Sequence, residues 1–86
     1  GAFSHITTYV PQALAQSFPT LTARESEVLY WVIQGKTNRD IGDILGTSPR
    51  TVHKHLEHVF EKLGVETRTA AASMAMGRVR QLSPAR

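Results

Sequence analysis

Eighty-six residues with 41% apolar side chains, no cysteine and a formal net charge of +3 suit one small domain with a modest core. The lack of cysteine excludes a disulfide framework and thiolate metal sites and fits a reducing cytoplasm, while no apolar run approaches the ~18 residues of a membrane span. From Leu21 to Val65 six basic residues face six acidic ones, so the excess lies beyond, where Arg68, Arg78, Arg80 and Arg86 oppose Glu66. Any attraction to nucleic acid must then come from where charges sit, because the domain is no generic polycation.

Residues 1–19 combine Pro11 and Pro19 with scattered apolar residues, among them Leu14 and Phe18, and almost no charge. They are expected to form a linker with about one helical turn around Pro11 to Gln16, leading from an amino-terminal regulatory domain. The alternative is a short segment packed back on the domain. The folded unit itself is expected over residues 20–77, followed by a flexible tail over 78–86.

A first helix starts where Thr22-Ala23-Arg24-Glu25 has the form of a capping box, in which the threonine oxygen accepts from an early N–H and Glu25 reaches back. Val28, Leu29, Val32 and Ile33 form its buried stripe, Tyr30 and Trp31 lie towards the edges, and Gly35 stops it after Gln34. A second, two-turn helix starts at Thr37-Asn38-Arg39-Asp40, with Ile41, Ile44 and Leu45 as its apolar face and Gly46 as its end. Gly42 inside it costs about 1 kcal/mol relative to alanine. Close approach of the third helix would offset that cost.

The third helix is the most informative element. Ser48 caps it, Pro49 takes the first helical position, and Gly64 closes it after Leu63. The span from Ser48 to Leu63 is on the order of 24 Å. Val52, Leu56, Val59, Phe60 and Leu63 lie on one side at the spacing of a helix laid on a core. Arg50, His53, Lys54, Glu57, His58 and Glu61 lie on the other, and each can hydrogen-bond to a base edge or a phosphate. His55 falls on the buried edge of the stripe and is expected to pack. A fourth helix is expected from Thr67 or Arg68 to about Met76, with Gly77 loosening it. The second and third helices, joined by a short turn that includes a glycine, make a helix-turn-helix, and the chain as a whole is expected to be all-α.

The three histidines of the third helix invite a metal reading, but residues two apart point to different sides of a helix and no cysteine or carboxylate completes a set. No metal or other cofactor is expected. Nor is an enzyme, since no nucleophile, base and acid fall into a catalytic spacing and no glycine loop cradles a phosphate.

The run from Leu21 to Ala72, about three fifths of the chain, closely resembles the LuxR-type (GerE/FixJ/NarL-like) carboxy-terminal DNA-binding domain of bacterial transcription regulators. The resemblance rests on Leu21-Thr22-x-Arg24-Glu25, on Gly35-x-x-Asn38-x-x-Ile41 and on Leu45-Gly46. It continues through Thr51-Val52-x-x-His55 and Lys62-Leu63-Gly64-Val65 to Arg68-Thr69. It implies a four-helix fold, the third helix (48–63) in the major groove of double-stranded DNA, and a homodimer on an inverted repeat through the fourth helix. Base-facing positions then fall on His53, Lys54, Glu57 and His58, and phosphate contacts on Asn38, Ser48, Arg50 and Thr51. The dimer helix would contribute Ala70, Ala71 and Met74, and RNA polymerase is a possible further partner. His53 stands where many members have lysine, and Glu57 where a basic or amide residue is common, so the target sequence cannot be borrowed. Two other readings compete: a sigma-factor-like promoter-recognition module, which the Lys62-Leu63-Gly64-Val65 and Arg68-Thr69 tail disfavours, and a helical protein-interaction module, which the neutral core with Glu57 and Glu61 leaves open.

Overall fold

A hydroxyl side chain accepts an otherwise unpaired N–H at each of the first three helix starts, and these caps frame the domain. The computed structural model describes Leu14 and residues 16–82, without the side chains of the last four. Helix α1 spans Ala23–Ile33, α2 Asn38–Leu45, α3 Pro49–Leu63 and α4 Arg68–Leu82. No strand occurs among the described residues, so the fold is all-α as expected. In the capping box of α1, Thr22 Oγ1 accepts from the Glu25 N–H at 3.1 Å and Glu25 Oε1 accepts from the Thr22 N–H at 2.9 Å. Thr37 and Asp40 repeat the device on α2. Ser48 Oγ accepts from the Thr51 N–H at 3.1 Å, with Pro49 in the first turn of α3.

Two apolar clusters meet along α3. Val28 and Val32 of α1, Ile41 of α2 and Val52 and Leu56 of α3 bury together around the first half of the helix. Leu29 of α1, Val59 of α3 and Ala71 and Ala75 of α4 close around its second half, joined by Leu14, Phe18 and Leu21. Half-buried Phe60 packs against both, which ties the two halves into one unit.

The segment ahead of α1 departs from the linker expectation. Leu14 is 0% and Phe18 7% exposed, the Phe18 N–H donates to the Leu14 carbonyl at 2.9 Å, and the Arg78 guanidinium stands 5.2 Å over the Phe18 ring. Burying two such side chains stabilises by about 1.5–3 kcal/mol each, so this stretch takes the packed-back alternative and the packed unit begins before residue 20. Pro11 to Ala13, where the predicted turn starts, lie outside the described residues. At the other end α4 runs through Gly77 to Leu82 instead of stopping near Met76. A helical glycine loses only about 1 kcal/mol, and buried Ala75 and the Arg78–Phe18 contact hold the helix on either side of it. Of the predicted tail, residues 83–86 lie outside the described residues.

Ile44 is a third departure, 45% exposed where the apolar face of α2 was expected. The reason is Gly42, which lies two residues away and therefore about 200° around the helix. The turn after α2 comes down directly on Gly42: a Cβ there would stand 2.6 Å from the Thr47 carbonyl oxygen and 3.3 Å from the Ser48 carbonyl carbon. With that side of α2 pressed against backbone, Ile44 is turned outward. The turn itself is held by Gly46 at φ +73° and by the Thr47 N–H donating to the Gly42 carbonyl at 2.8 Å, the hydrogen bond of a Schellman end.

Gly42→Ala is expected to lower the free energy of unfolding by about 1–3 kcal/mol through overpacking, although alanine for glycine inside a helix ordinarily gains about 1 kcal/mol. Urea unfolding followed by circular dichroism checks the sign. A variant more stable than wild type would mean that the turn yields.

Candidate nucleic-acid interface

The start of α3 is the first part of the site. Ser48 Oγ lies 3.0 Å from Thr51 Oγ1 while also capping the Thr51 N–H, so the two hydroxyls form a small polar cluster at the positive end of the helix. Ser48 and Arg50 are exposed and Thr51 is half-buried. Backbone N–H groups, hydroxyls and an arginine at a helix N-terminus are the groups that bind a phosphate oxygen.

The outer face of α3 continues the surface. Lys54 is exposed and makes no hydrogen bond or ion pair among the described residues. His53 Nε2 lies 3.3 Å from Glu57 Oε2, one turn apart, with the two side chains 65% and 62% exposed. Thus His53 and Glu57 form a pair on the exposed side, opposite Val52, Leu56 and Val59. His55 is half-buried, as its place on the stripe predicts.

His58 belongs to a different group. Its Nδ1 stands 3.8 Å from Glu25 Oε2, on the flank of α3 that faces the start of α1. Glu25, whose side chain is 5% exposed, also takes the Lys62 ammonium on Oε1 at 2.7 Å. Burial by itself would raise the Glu25 carboxyl, because desolvation disfavours the charged form. The Lys62 hydrogen bond, the Thr22 N–H and the Lys62 and His58 charges outweigh it and hold the group below its ordinary value. One carboxylate therefore caps α1 and ties it to the second half of α3.

Asn38 is likewise engaged. Arg68, the first residue of α4, donates from Nη1 to Asn38 Oδ1 at 2.6 Å and from Nη2 to the Lys36 carbonyl at 2.5 Å. With its oxygen occupied, the Asn38 side chain keeps its amide N–H groups for an outside acceptor such as a phosphate.

The exposed face thus gathers Ser48, Arg50, Lys54, Glu57 and His53, with Thr51 beside the cap. Of the fourth-helix positions, Met74 is exposed and Ala70 half-buried. Ala71 is 0% exposed inside the second cluster and cannot face a partner, because its methyl group packs against α1 and α3 side chains. Two interactions escaped the sequence reading, Glu25–Lys62 and Arg68–Asn38. Both join residues thirty or more apart, and no local spacing signals them.

Comparison with known proteins gives the family of the chain. The family described as bacterial regulatory proteins, luxR family, matches residues 19–75. Among curated proteins, the transcriptional activator protein SolR of Ralstonia solanacearum is 43% identical over 67 residues, 78% of this chain and 28% of that protein. The transcriptional activator protein BjaR1 of Bradyrhizobium diazoefficiens is 45% identical over 56 residues, 65% of this chain and 23% of its own length. The transcriptional activator protein AnoR of Acinetobacter nosocomialis is 43% identical over 56 residues, covering 65% and 24%. The chain spans less than a third of these relatives. No solved structure matches it.

Lys62→Met is expected to lower stability by about 1.5–3 kcal/mol at neutral pH, the range for a hydrogen bond to a charged group. Since the folded state holds the Glu25 carboxyl below its unfolded value, the contribution is complete above the unfolded value and is lost as pH falls through the folded one. The gap between wild type and Lys62→Met should therefore persist from pH 7 to 5 and shrink below about pH 4. Denaturant unfolding across that range measures it, and a gap independent of pH would show that packing of the lysine stem is responsible.

Proposed function

The chain belongs to the luxR family of bacterial regulatory proteins, DNA-binding helix-turn-helix domains that regulate transcription, and on that premise we propose that it reads a specific duplex sequence by laying α3 in the major groove. The observation that carries the reading is the division of α3. One side is buried to Val52, Leu56 and Val59, while the other presents Lys54, Glu57 and Arg50 beyond a capped, positive N-terminus. A helix of ~22 Å with such a face fits the ~12 Å width of a major groove.

Roles follow from chemistry. Lys54 and Glu57 face base edges. Ser48, Thr51, Arg50 and the amide of Asn38 take phosphates, which fix register without reading sequence. The near-neutral charge of residues 21–65 gives a single copy little nonspecific affinity, which supports binding as a dimer on an inverted repeat. The outer side of α4, with Ala70 and Met74, is the surface for that contact. The greater length of the relatives supports a regulatory portion in a longer protein, which would control exposure of this domain.

Lys54→Ala is expected to lower affinity for the preferred site by about 1–3 kcal/mol while changing nonspecific affinity little. Arg50→Ala should weaken all sequences alike and flatten the salt slope by about one. Fluorescence anisotropy titrations at several salt concentrations separate the two, and equal losses on specific and random duplexes from both variants would refute the division of roles.

A further inference from the structure

Glu57 is the unexpected group on the reading face, because a carboxylate beside DNA is repelled by phosphates unless something local compensates. The structure sets His53 beside it, with Nε2 3.3 Å from Glu57 Oε2. The contact occupies one carboxylate oxygen and restrains the rotamer, leaving Oε1 with no hydrogen bond or ion pair among the described residues. The pair is about two-thirds exposed, so it is open to a base edge and is no part of the core.

An ionised carboxylate only accepts hydrogen bonds. In the major groove the base donors are the cytosine N4 and adenine N6 amino groups, but adenine sets its N7 acceptor beside N6, where it repels a carboxylate. Cytosine has no such acceptor. Lys54 is the converse: an ammonium with three donors and no acceptor meets two adjacent acceptors, O6 and N7, only on guanine. The two residues are three apart on α3, about 4.5 Å along its axis, against about 3.4 Å between stacked base pairs.

We propose that each half-site read by α3 contains two consecutive G·C pairs, one contacted at guanine by Lys54 and the next contacted at cytosine N4 by Glu57, with His53 as the positioning residue for Glu57. The proposal rests on the assignment of α3 as the DNA-reading helix, and it specifies which bases that helix selects.

The test is a protein-binding array of short duplexes probed with the chain, Glu57→Gln, His53→Ala and Lys54→Ala, with circular dichroism melts as the folding control. Wild type should select a motif with two adjacent G·C pairs. In Glu57→Gln the cytosine preference at one of them should turn towards adenine, which glutamine contacts at N6 and N7, changing the ratio about tenfold or more. His53→Ala should relax selectivity at that same position and leave the Lys54 position unchanged, a pattern that general loss of structure would not produce. Lys54→Ala should relax only the neighbouring pair. If wild type selects a motif that Glu57→Gln leaves unaltered, or if both substitutions change one and the same position, the proposal falls while α3 remains the reading helix. If wild type shows no sequence preference at all, the DNA-reading assignment falls with it.

Discussion

The orientation of α3 depends on one backbone contact. Thr47 and Ser48 lie so near Gly42 that no Cβ fits between them, which sets how closely the chain leaving α2 can turn into α3. The turn is closed by a hydrogen bond back to the Gly42 carbonyl and by the left-handed Gly46. Every later feature of the site inherits that geometry: Ser48 begins α3 directly from the turn, so the cap, Arg50 and Lys54 are carried on a helix whose first residues have little freedom. A helix is rigid over this length, and an angle fixed at its start determines where its far end points.

The far end is held by a different interaction. Glu25 accepts the N–H of Thr22, the capping residue of α1, and reaches Lys62, thirty-seven residues on. A carboxylate removed from water is stabilised only when its hydrogen-bonding capacity is filled, and here Thr22, Lys62 and His58 surround it. This gives α3 a polar tie to α1 beyond its apolar contacts, and it draws His58 and Lys62 towards the interior of the charge pattern. Leu14 and Phe18 add a third restraint by closing the apolar cluster between α1, α3 and α4. Arg68 adds a fourth, since it joins the start of α4 to the start of α2.

The electrostatics explain how a nearly neutral domain can still present a useful face. Glu25 is directed inward to Lys62, and Glu27 pairs with Arg24 along α1 at 3.3 Å. Asp40 turns back to the Thr37 N–H. These contacts place half of the acidic residues of the 21–65 span within local partnerships, away from the outer side of α3. Glu57 remains there, paired with His53. On the reading proposed for α3, its carboxylate would act through hydrogen-bonding direction more than through net charge, which is the property that distinguishes one base edge from another.

The caps, the helix limits of α1 to α3 and the buried stripe of α3 were legible in the sequence because each depends on residues within about one turn of one another. Thr22 with Glu25, Thr37 with Asp40, and Ser48 with Pro49 state their roles locally, and the family motifs from Leu21 onward added the expected position of α3. Ile44, Ala71, Gly77 and the Leu14–Phe18 segment were misjudged, since whether an apolar residue is covered depends on what another part of the chain brings against it. The same holds at the candidate site: spacing alone put His53, Lys54, Glu57 and His58 on one side, and His53 pairs with Glu57 one turn on, whereas the packed structure turned His58 to Glu25. The sequence by itself determined an all-α helix-turn-helix and the chemistry available on its third helix. Only the tertiary structure decided which of those groups are already engaged, because partners thirty or more residues apart meet through packing and not through periodicity.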